Sequence, residues 1–552
     1  MKRKILVRAL AVTFACATLL SGAACGKKPE EISKDPTVLN VKIRKAGYGT
    51  TYIEELAKQF EKTFEAEGYK VNVLAPREDL TSSNVMRDIW SDSGVDVYFS
   101  DGFSAQDLNE GEYGKTGSDI TESVWNQKPI KFDGTEEELT IAEKLSRFDL
   151  SRAVYNEKIY GIPYACSFGV LAVNKKVLDS YELEIPQTTN EMFECAEVIM
   201  SDANDTGIFP FTFALTGNNY TNSTLAPWIA QAGGVEEFNS FMSFQDLQGN
   251  DMGKDSYKVF EYDSLEKALE VTYHFFDPAM AAYGSGTQEV DAAQGQIMKG
   301  TAVFYSVGDW FFNEEYTRNS KYRNDVVAVN APLISTLGTE LFTKYGFDAE
   351  KCDDVLSFIG KLATDGKLAE EIKPLVDAEF SASISIEDVT MVCQRRGITR
   401  NNMGAGLIIS EKSPKKDLAA KFLRFCASTE AGSLFSEQAR TSSPYSLDVP
   451  MTLDYPWIKS INKIAANPYF CQIQTENRGY KKALGLNTFL PNMGEVYAVD
   501  IYETGATKYD IGTLEVIGDN SVYANASKSL VATLASKAKD KLDKEEWKVV
   551  VK

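Results

Sequence analysis

Between Tyr160 and Leu178 the chain reads YGIPYACSFGVLAVNKKVL, an order of residues that few folds can accommodate. Pro163 fixes one backbone angle and removes a donor, while Gly161 admits angles that other residues avoid, so a continuous strand does not run easily through this aromatic turn. Phe168 to Val173 follows as a bare apolar run of strand length, and Asn174-Lys175-Lys176 then marks a helical start. An extended segment thus leaves one body, bends at the turn and enters a buried sheet.

The rest of the composition agrees with a chain of more than one core. At 552 residues, with 43% hydrophobic and 11% aromatic content, there is ample apolar material to fill two. Lys2, Arg3, Lys4 and Arg8 precede the apolar stretch Ala9 to Leu20, which is short for a bilayer span and has the form of a secretory signal. The signal ends in Ser21-Gly22-Ala23-Ala24-Cys25, small residues before a cysteine that match the bacterial lipobox. Residues 1–24 are therefore expected to be removed and Cys25 acylated, with cleavage after Ala24 by ordinary signal peptidase as the alternative. Residues 25–36 form a polar tether. Loss of 1–24, which carry four basic and no acidic residues, takes the formal charge from -21 to -25. Such a surface repels DNA, RNA and anionic lipid head groups, so nucleic acid is excluded as a partner.

Six further cysteines lie at 166, 195, 352, 393, 426 and 471, with no CxxC pair, and are expected as free buried thiols. The single histidine, His274, sits in an apolar helical stretch and leaves little for zinc or nucleophile–base chemistry. No cofactor or metal is expected. Asp202 to Gly207 looks like a calcium loop, but Phe213 stands where the loop's last carboxylate belongs.

Val38 to Ile43 alternates as a strand, and Gly47-Tyr48-Gly49 leads into a helix with Ile53, Leu56, Ala57, Phe60 and Phe64 on one face. The third glycine of a dinucleotide fingerprint is replaced by Tyr52, which removes the nucleotide reading. The same geometry puts Tyr48 at the carboxyl end of the strand, where open α/β sheets bind ligands. Strands are predicted over Lys70–Leu74 and Val95–Ser100. Residues 102–150 are less legible, with surface insertions at 110–119 and 132–143. Thr188 and Glu191 form a capping box before a helix. Asn218-Asn219-Tyr220 precedes Trp228 in one aromatic cluster, and a second apolar strand terminates in Asp309-Trp310. Trp228 is placed equally well in a core or against a ligand. Of Phe304 and Tyr305, which alternate along their strand, one must face the core.

Several of these segments resemble, in order and spacing, the bacterial extracellular solute-binding proteins of family 1. They are Tyr160–Leu178, the strand Asp96–Ser100 before Asp101, the run ending at Gly233-Gly234, Ala302–Trp310, and the long stretch from Gly404 through Ser413 and Phe422 to Pro444. The resemblance implies an α/β, two-lobed periplasmic-binding-protein-like fold of type II with a multi-segment hinge. Residues 37–162 and 325–425 would form one lobe, and 163–324 and 426–552 the other. It further implies a monomeric, non-enzymatic lipoprotein on the outer face of the membrane, which closes on a sugar or oligosaccharide and delivers it to an ABC permease. A pyranose ring lays its C–H face on an aromatic ring and its hydroxyls on carboxylates and amides. The ligand residues expected are accordingly Tyr48, Asp101, Tyr164, Asn219, Tyr220, Trp228, Asp309 and Trp310. Asp101 serves equally well as a turn cap before Gly102. Two alternatives stay open: the same fold around a peptide, polyamine or other cation, and a glycoside hydrolase working with two carboxylates. The chain from Ser446 departs from the family pattern, and only Ser527 to Leu542 reads as its last helix.

Overall fold

The computed structural model describes residues 31–44, 47–76, 80–215, 220–401, 405–474, 502 and 505–544. Cys25, Asn219, the side chain of Asp101 and most of the stretch from 477 to 520 that resists assignment fall outside the described set.

The chain opens with β1 (Val38–Ile43), β2 (Lys70–Leu74) and β3 (Val97–Asp101), laid parallel with β1 in the middle. The helix Thr51–Thr63 crosses between β1 and β2 and buries Ile53, Leu56, Ala57 and Phe60, the face predicted from helical spacing. Asp96 fixes the sheet to a later helix. Its carboxylate accepts the Asn40 N–H at 2.8 Å and the Ser413 hydroxyl at 2.6 Å, and it pairs with Lys415 at 2.9 Å. A buried carboxylate without such partners would be costly to the fold. Of the expected surface insertions, 132–140 is exposed or half-buried throughout and 110–115 likewise, whereas Thr116 and Ser118 are buried and Ile120, Val124, Ile130, Ile141 and Leu145 join the first lobe's core.

The organising stretch then forms β4 (Ile162–Pro163) and, after a bend, β5 (Gly169–Asn174). Gly161 is required by space rather than by backbone angle. A Cβ there would come within 2.6 Å of the Phe103 ring and 3.0 Å of the Leu407 carbonyl. The left-handed residue in this passage is Ser167, at φ 47°. Next come β6 (Phe209–Phe211), β7 (Ala302–Gly308) and β8 (Val326–Val329). β5 pairs antiparallel with both β7 and β8, and β6 runs parallel to β7, giving a second sheet in the order β8-β5-β7-β6. Every residue of β5 and β7 is buried because helices cover both faces of this sheet. Phe304 therefore enters one cluster and Tyr305 another, and both are core residues.

β9 (Ile398–Asn401), β10 (Ala405–Ile409) and β11 (Cys471–Gln474) follow, and the short strands Val154–Tyr155 and Lys158–Ile159 form a separate antiparallel pair. β10 lies antiparallel between β3 and β4, so the first sheet runs β2-β1-β3-β10-β4, and β9 pairs with β11. The segment 325–401 thus sits with the second sheet, not with the first as expected. β8 is hydrogen-bonded to β5, and the helices Ala349–Thr364, Ala369–Phe380 and Ile386–Arg396 share the core of Thr189–Met200 and Asn222–Gly233. The helix Thr429–Ala439 packs in the first lobe's core, opposite to the expected division at 426, whereas Pro456–Ala466 returns to the second.

The capping box predicted at Thr188 and Glu191 forms, with the Thr188 Oγ1 accepting from the Glu191 N–H at 3.3 Å. The last helix, Ser521–Asp543, begins before the predicted 527 and buries Leu534, Ala538 and Leu542 against Asp263–Phe275. Among the described residues the six cysteines are free, five of them buried and Cys471 half-buried. No helix among the described residues is long and apolar enough to cross a membrane.

Candidate functional site: an aromatic junction between the lobes

Strand polarity decides where ligand-facing residues can lie. β1, β2 and β3 end on the side where β4 leaves the first sheet and where β10 enters it, and β7 ends at Gly308 beside Gly169, the first residue of β5. The strand ends of both lobes therefore meet at the crossings, as binding sites of open α/β sheets do.

Gly47 and Gly49 take φ of 58° and 76° in the turn that follows β1, a conformation easy only for glycine, and they swing Tyr48 toward the other lobe. Its hydroxyl donates to Asp309 Oδ1 at 3.0 Å. The second oxygen of Asp309 accepts the Thr441 hydroxyl at 2.5 Å. Asp309 is fully buried, and burial raises its carboxyl from the ordinary range to about 6, against the two hydroxyls that favour its charged form. The Tyr48 phenol is pushed well up by the same burial and by the neighbouring Asp309.

Trp310 follows directly and turns back over Gly308, where an added Cβ would lie 2.4 Å from the indole ring. Tyr48 stands edge-on to the indole at 6.1 Å and Tyr220 at 5.6 Å. Tyr164 meets Tyr48 edge-on at 6.1 Å and stacks on Tyr52 at 6.3 Å. Phe435 closes the group, 4.8 Å from Tyr52 and 5.5 Å from Tyr48. With its indole only 4% exposed, Trp310 is the one described buried residue of the second lobe that belongs to the first lobe's core cluster. A second strut lies beside it: Asn313 donates to the Gly47 carbonyl at 2.7 Å and accepts from Arg440 at 2.8 Å.

Five of the eight sequence-predicted residues, Tyr48, Tyr164, Tyr220, Asp309 and Trp310, thus come together. Asp101 ends β3 on the same side. Trp228 does not join them. It is fully buried in the second lobe, with its Nε1–H donating to the Pro332 carbonyl at 3.1 Å and its ring 6.1 Å from Phe275. Five participants were not singled out from sequence: Tyr52, Asn313, Phe435, Arg440 and Thr441. Tyr52 and Phe435 stand at ordinary core positions of helices, so their sequence context carries no site signal. Arg440 and Thr441 do fall in the stretch where the family resemblance ends, and only that placement could have drawn notice to them.

The model of the bacterial extracellular solute-binding proteins matches residues 46–339, more than half of the chain. Comparison with curated protein sequences gives no match. Among solved structures, the sugar-binding protein MalE from Xanthomonas citri is 13% identical, covering 93% of this chain and 98% of its own, with a TM-score of 0.55. A solute-binding protein of an ABC transporter from Thermotoga lettingae, bound with α-D-tagatose, is also 13% identical, covers 90% of this chain and 100% of its own, and has a TM-score of 0.52. A probable secreted solute-binding lipoprotein from Streptomyces coelicolor is 14% identical, with 90% and 99% coverage and a TM-score of 0.52. At such identities the likeness establishes the fold, the two-lobed type II periplasmic-binding-protein-like arrangement. With the family match over residues 46–339, the chain belongs to the bacterial extracellular solute-binding proteins.

Proposed function

We propose that the chain captures a sugar or oligosaccharide between its lobes and delivers it to an ABC permease, without chemical turnover. The observation that carries this reading is the junction itself: Tyr48, Tyr164, Tyr220 and Trp310 in edge-on contact where the two lobes meet, with Tyr48 bonded to the carboxylate of Asp309. Aromatic faces suit the C–H face of a pyranose, and a carboxylate suits its hydroxyls. Solved relatives named for sugar binding support the same ligand class. The indole is buried in the arrangement described, so offering it to a ligand requires the lobes to part, and a sugar bound to both faces then favours their closure. Trp310, Tyr48 and Asp309 are assigned as ligand contacts, with Tyr164 and Tyr220 beside them. Asp101 and Asn219 are retained as candidates on strand position and sequence, and Trp228 is assigned to the core.

Cys25 is proposed as the acylated residue that tethers the protein outside the cell membrane. A Cys25→Ala chain that still co-sediments with membranes would remove that assignment. For the ligand, the experiment is titration of the purified chain with mono- and oligosaccharides, followed by tryptophan fluorescence and solution scattering, with spermidine and short peptides in parallel. Binding of at least one sugar, a changed scattering radius and affinity weakened by about tenfold or more in Trp310→Ala are expected. Binding of spermidine or a peptide instead, or recovery of a cleaved sugar, would overturn the proposal.

A further inference from the structure

A cavity of about 470 Å³ lies along β8, the edge strand of the second sheet, and none of its lining residues belongs to the aromatic junction. That volume is within the range of small-molecule sites. Leu183, Ile185, Val327, Val329 and Ile464 make an aliphatic wall, and the rest of the lining is polar or charged, with Asp179, Glu184 and Asp365 among it. Three lysines on its lining are each matched by an acid: Lys175 with Asp179 at 2.5 Å, Lys361 with Glu184 at 2.7 Å and Lys463 with Asp365 at 2.7 Å.

The fourth cation of the lining is different. Arg396 is 3% exposed and makes no ion pair among the described residues. Its Nε donates to Thr364 at 2.8 Å, one terminal nitrogen to the carbonyls of Asn330 and Ala331 at 3.4 and 3.0 Å, and the other to Gln187 Oε1 at 3.2 Å. All four acceptors are neutral, and one of the five guanidinium hydrogens is left over. Glu191 is near enough to be felt, but its oxygens accept from the Gln187 and Thr188 N–H groups and from the Ser357 hydroxyl. Burial accordingly lowers the guanidinium to about 10. Asn330, also on the lining, spends its Nδ2 on the Arg396 carbonyl and has a buried Oδ1 with no partner.

We propose that this cavity is a second binding site, for a small organic monocarboxylate that carries an apolar body and a hydroxyl. A guanidinium with no ion pair among the described residues leaves room for one negative charge, and its planar fork matches a carboxylate. The aliphatic wall takes an apolar body and is poor company for a strongly hydrated phosphate. A ligand hydroxyl would supply the donor that Asn330 Oδ1 lacks. The rim lysines cancel the acids Asp179, Glu184 and Asp365 on the same lining, so the mouth does not repel an anion although the protein's overall charge is negative.

Calorimetric titration of the full chain with phenyllactate, phenylacetate and the neutral amide of phenyllactate tests the assignment. Phenyllactate is expected to bind most tightly, and the amide about tenfold or more weaker. The rim variant Lys361→Gln/Lys463→Gln should weaken the acid severalfold while leaving the amide alone. Arg396→Lys, which keeps the charge but loses the fork, should weaken it further. Should that variant fail to fold, the rim variant decides. Trp310→Ala should leave phenyllactate binding unchanged, which separates this site from the lobe junction. No heat from either acid, equal binding of acid and amide, or indifference to the rim variant would overturn the proposal. So would loss of acid binding in Trp310→Ala, which would assign the acid to the junction.

Discussion

Two buried titratable residues pull the pH dependence of this protein in opposite directions. Asp309 holds its proton up to about 6 in the folded chain, whereas an unfolded aspartate releases it near its ordinary 3.8. Folding therefore binds a proton between those limits, and stability falls as pH rises through them, by up to about 3 kcal/mol. His274 does the reverse. Its imidazole is sandwiched between Phe193 at 3.5 Å and Tyr523 at 4.3 Å, its Nε2 has no partner, and burial together with nearby Lys508 lowers it to about 3. The unfolded chain takes up a proton near 6.5 that the folded chain refuses, so stability is lost as pH falls from there toward 3. The loss by pH 5 is about 2 kcal/mol. Denaturant titrations at pH 4, 5, 6 and 7 separate the two. Between pH 4 and 6 the two slopes nearly cancel in the unaltered chain, so His274→Phe should uncover a decline of stability with rising pH, and Asp309→Asn should uncover a loss with falling pH. A His274→Phe profile parallel to that of the unaltered chain would mean the imidazole titrates normally.

Among elements, the two tryptophans that sequence placed together behave as opposites. Trp228 lies in a helix whose described side chains are almost all buried, and its indole N–H is taken by a backbone carbonyl. Trp310 closes a strand and lies between lobes. Trp228→Phe removes one hydrogen bond and some ring volume, so a loss of about 1–3 kcal/mol in unfolding free energy is expected, with sugar affinity intact. Trp310→Ala also empties a buried ring site and should cost about 3–5 kcal/mol, but unlike Trp228→Phe it should weaken sugar affinity as well. A shared response of both variants in binding would place Trp228 back in the site.

Local chemistry explains what was legible. β1 and β2 start and end where alternation and apolar runs predict, and the Thr188–Glu191 box caps its helix, because those signals act within a few residues. The choice between core and site for a tryptophan depends on which remote element faces it. Pro332 faces Trp228 and Tyr48 faces Trp310, and neither is near in sequence. The same limit hid the membership of β8: an apolar strand at 326–329 fits either sheet until its partner, β5, is known.

The junction holds the whole molecule in its present arrangement, beside outlying bonds between lobes such as that of Arg147 to the Asn467 carbonyl at 2.7 Å. The chain passes between sheets after β4, between β9 and β10, and between the helices Thr429–Ala439 and Pro456–Ala466, so relative rotation strains only short connections. Against that freedom stand the buried indole, the Tyr48–Asp309 bond and the Asn313 strut to Gly47 and Arg440. The strut is the one of these that can be removed without touching a proposed ligand contact. Its two hydrogen bonds are together worth about 1–3 kcal/mol, so Asn313→Ala should shift the balance toward parted lobes by about tenfold or more. Parted lobes expose Trp310, and a binding-competent form that is more populated binds with a lower apparent Kd. Asn313→Ala should therefore scatter with a larger radius of gyration than the unaltered chain and bind its sugar more tightly. An unchanged radius with weaker binding would instead make Asn313 a ligand contact in its own right, and the strut would lose its role in holding the lobes together.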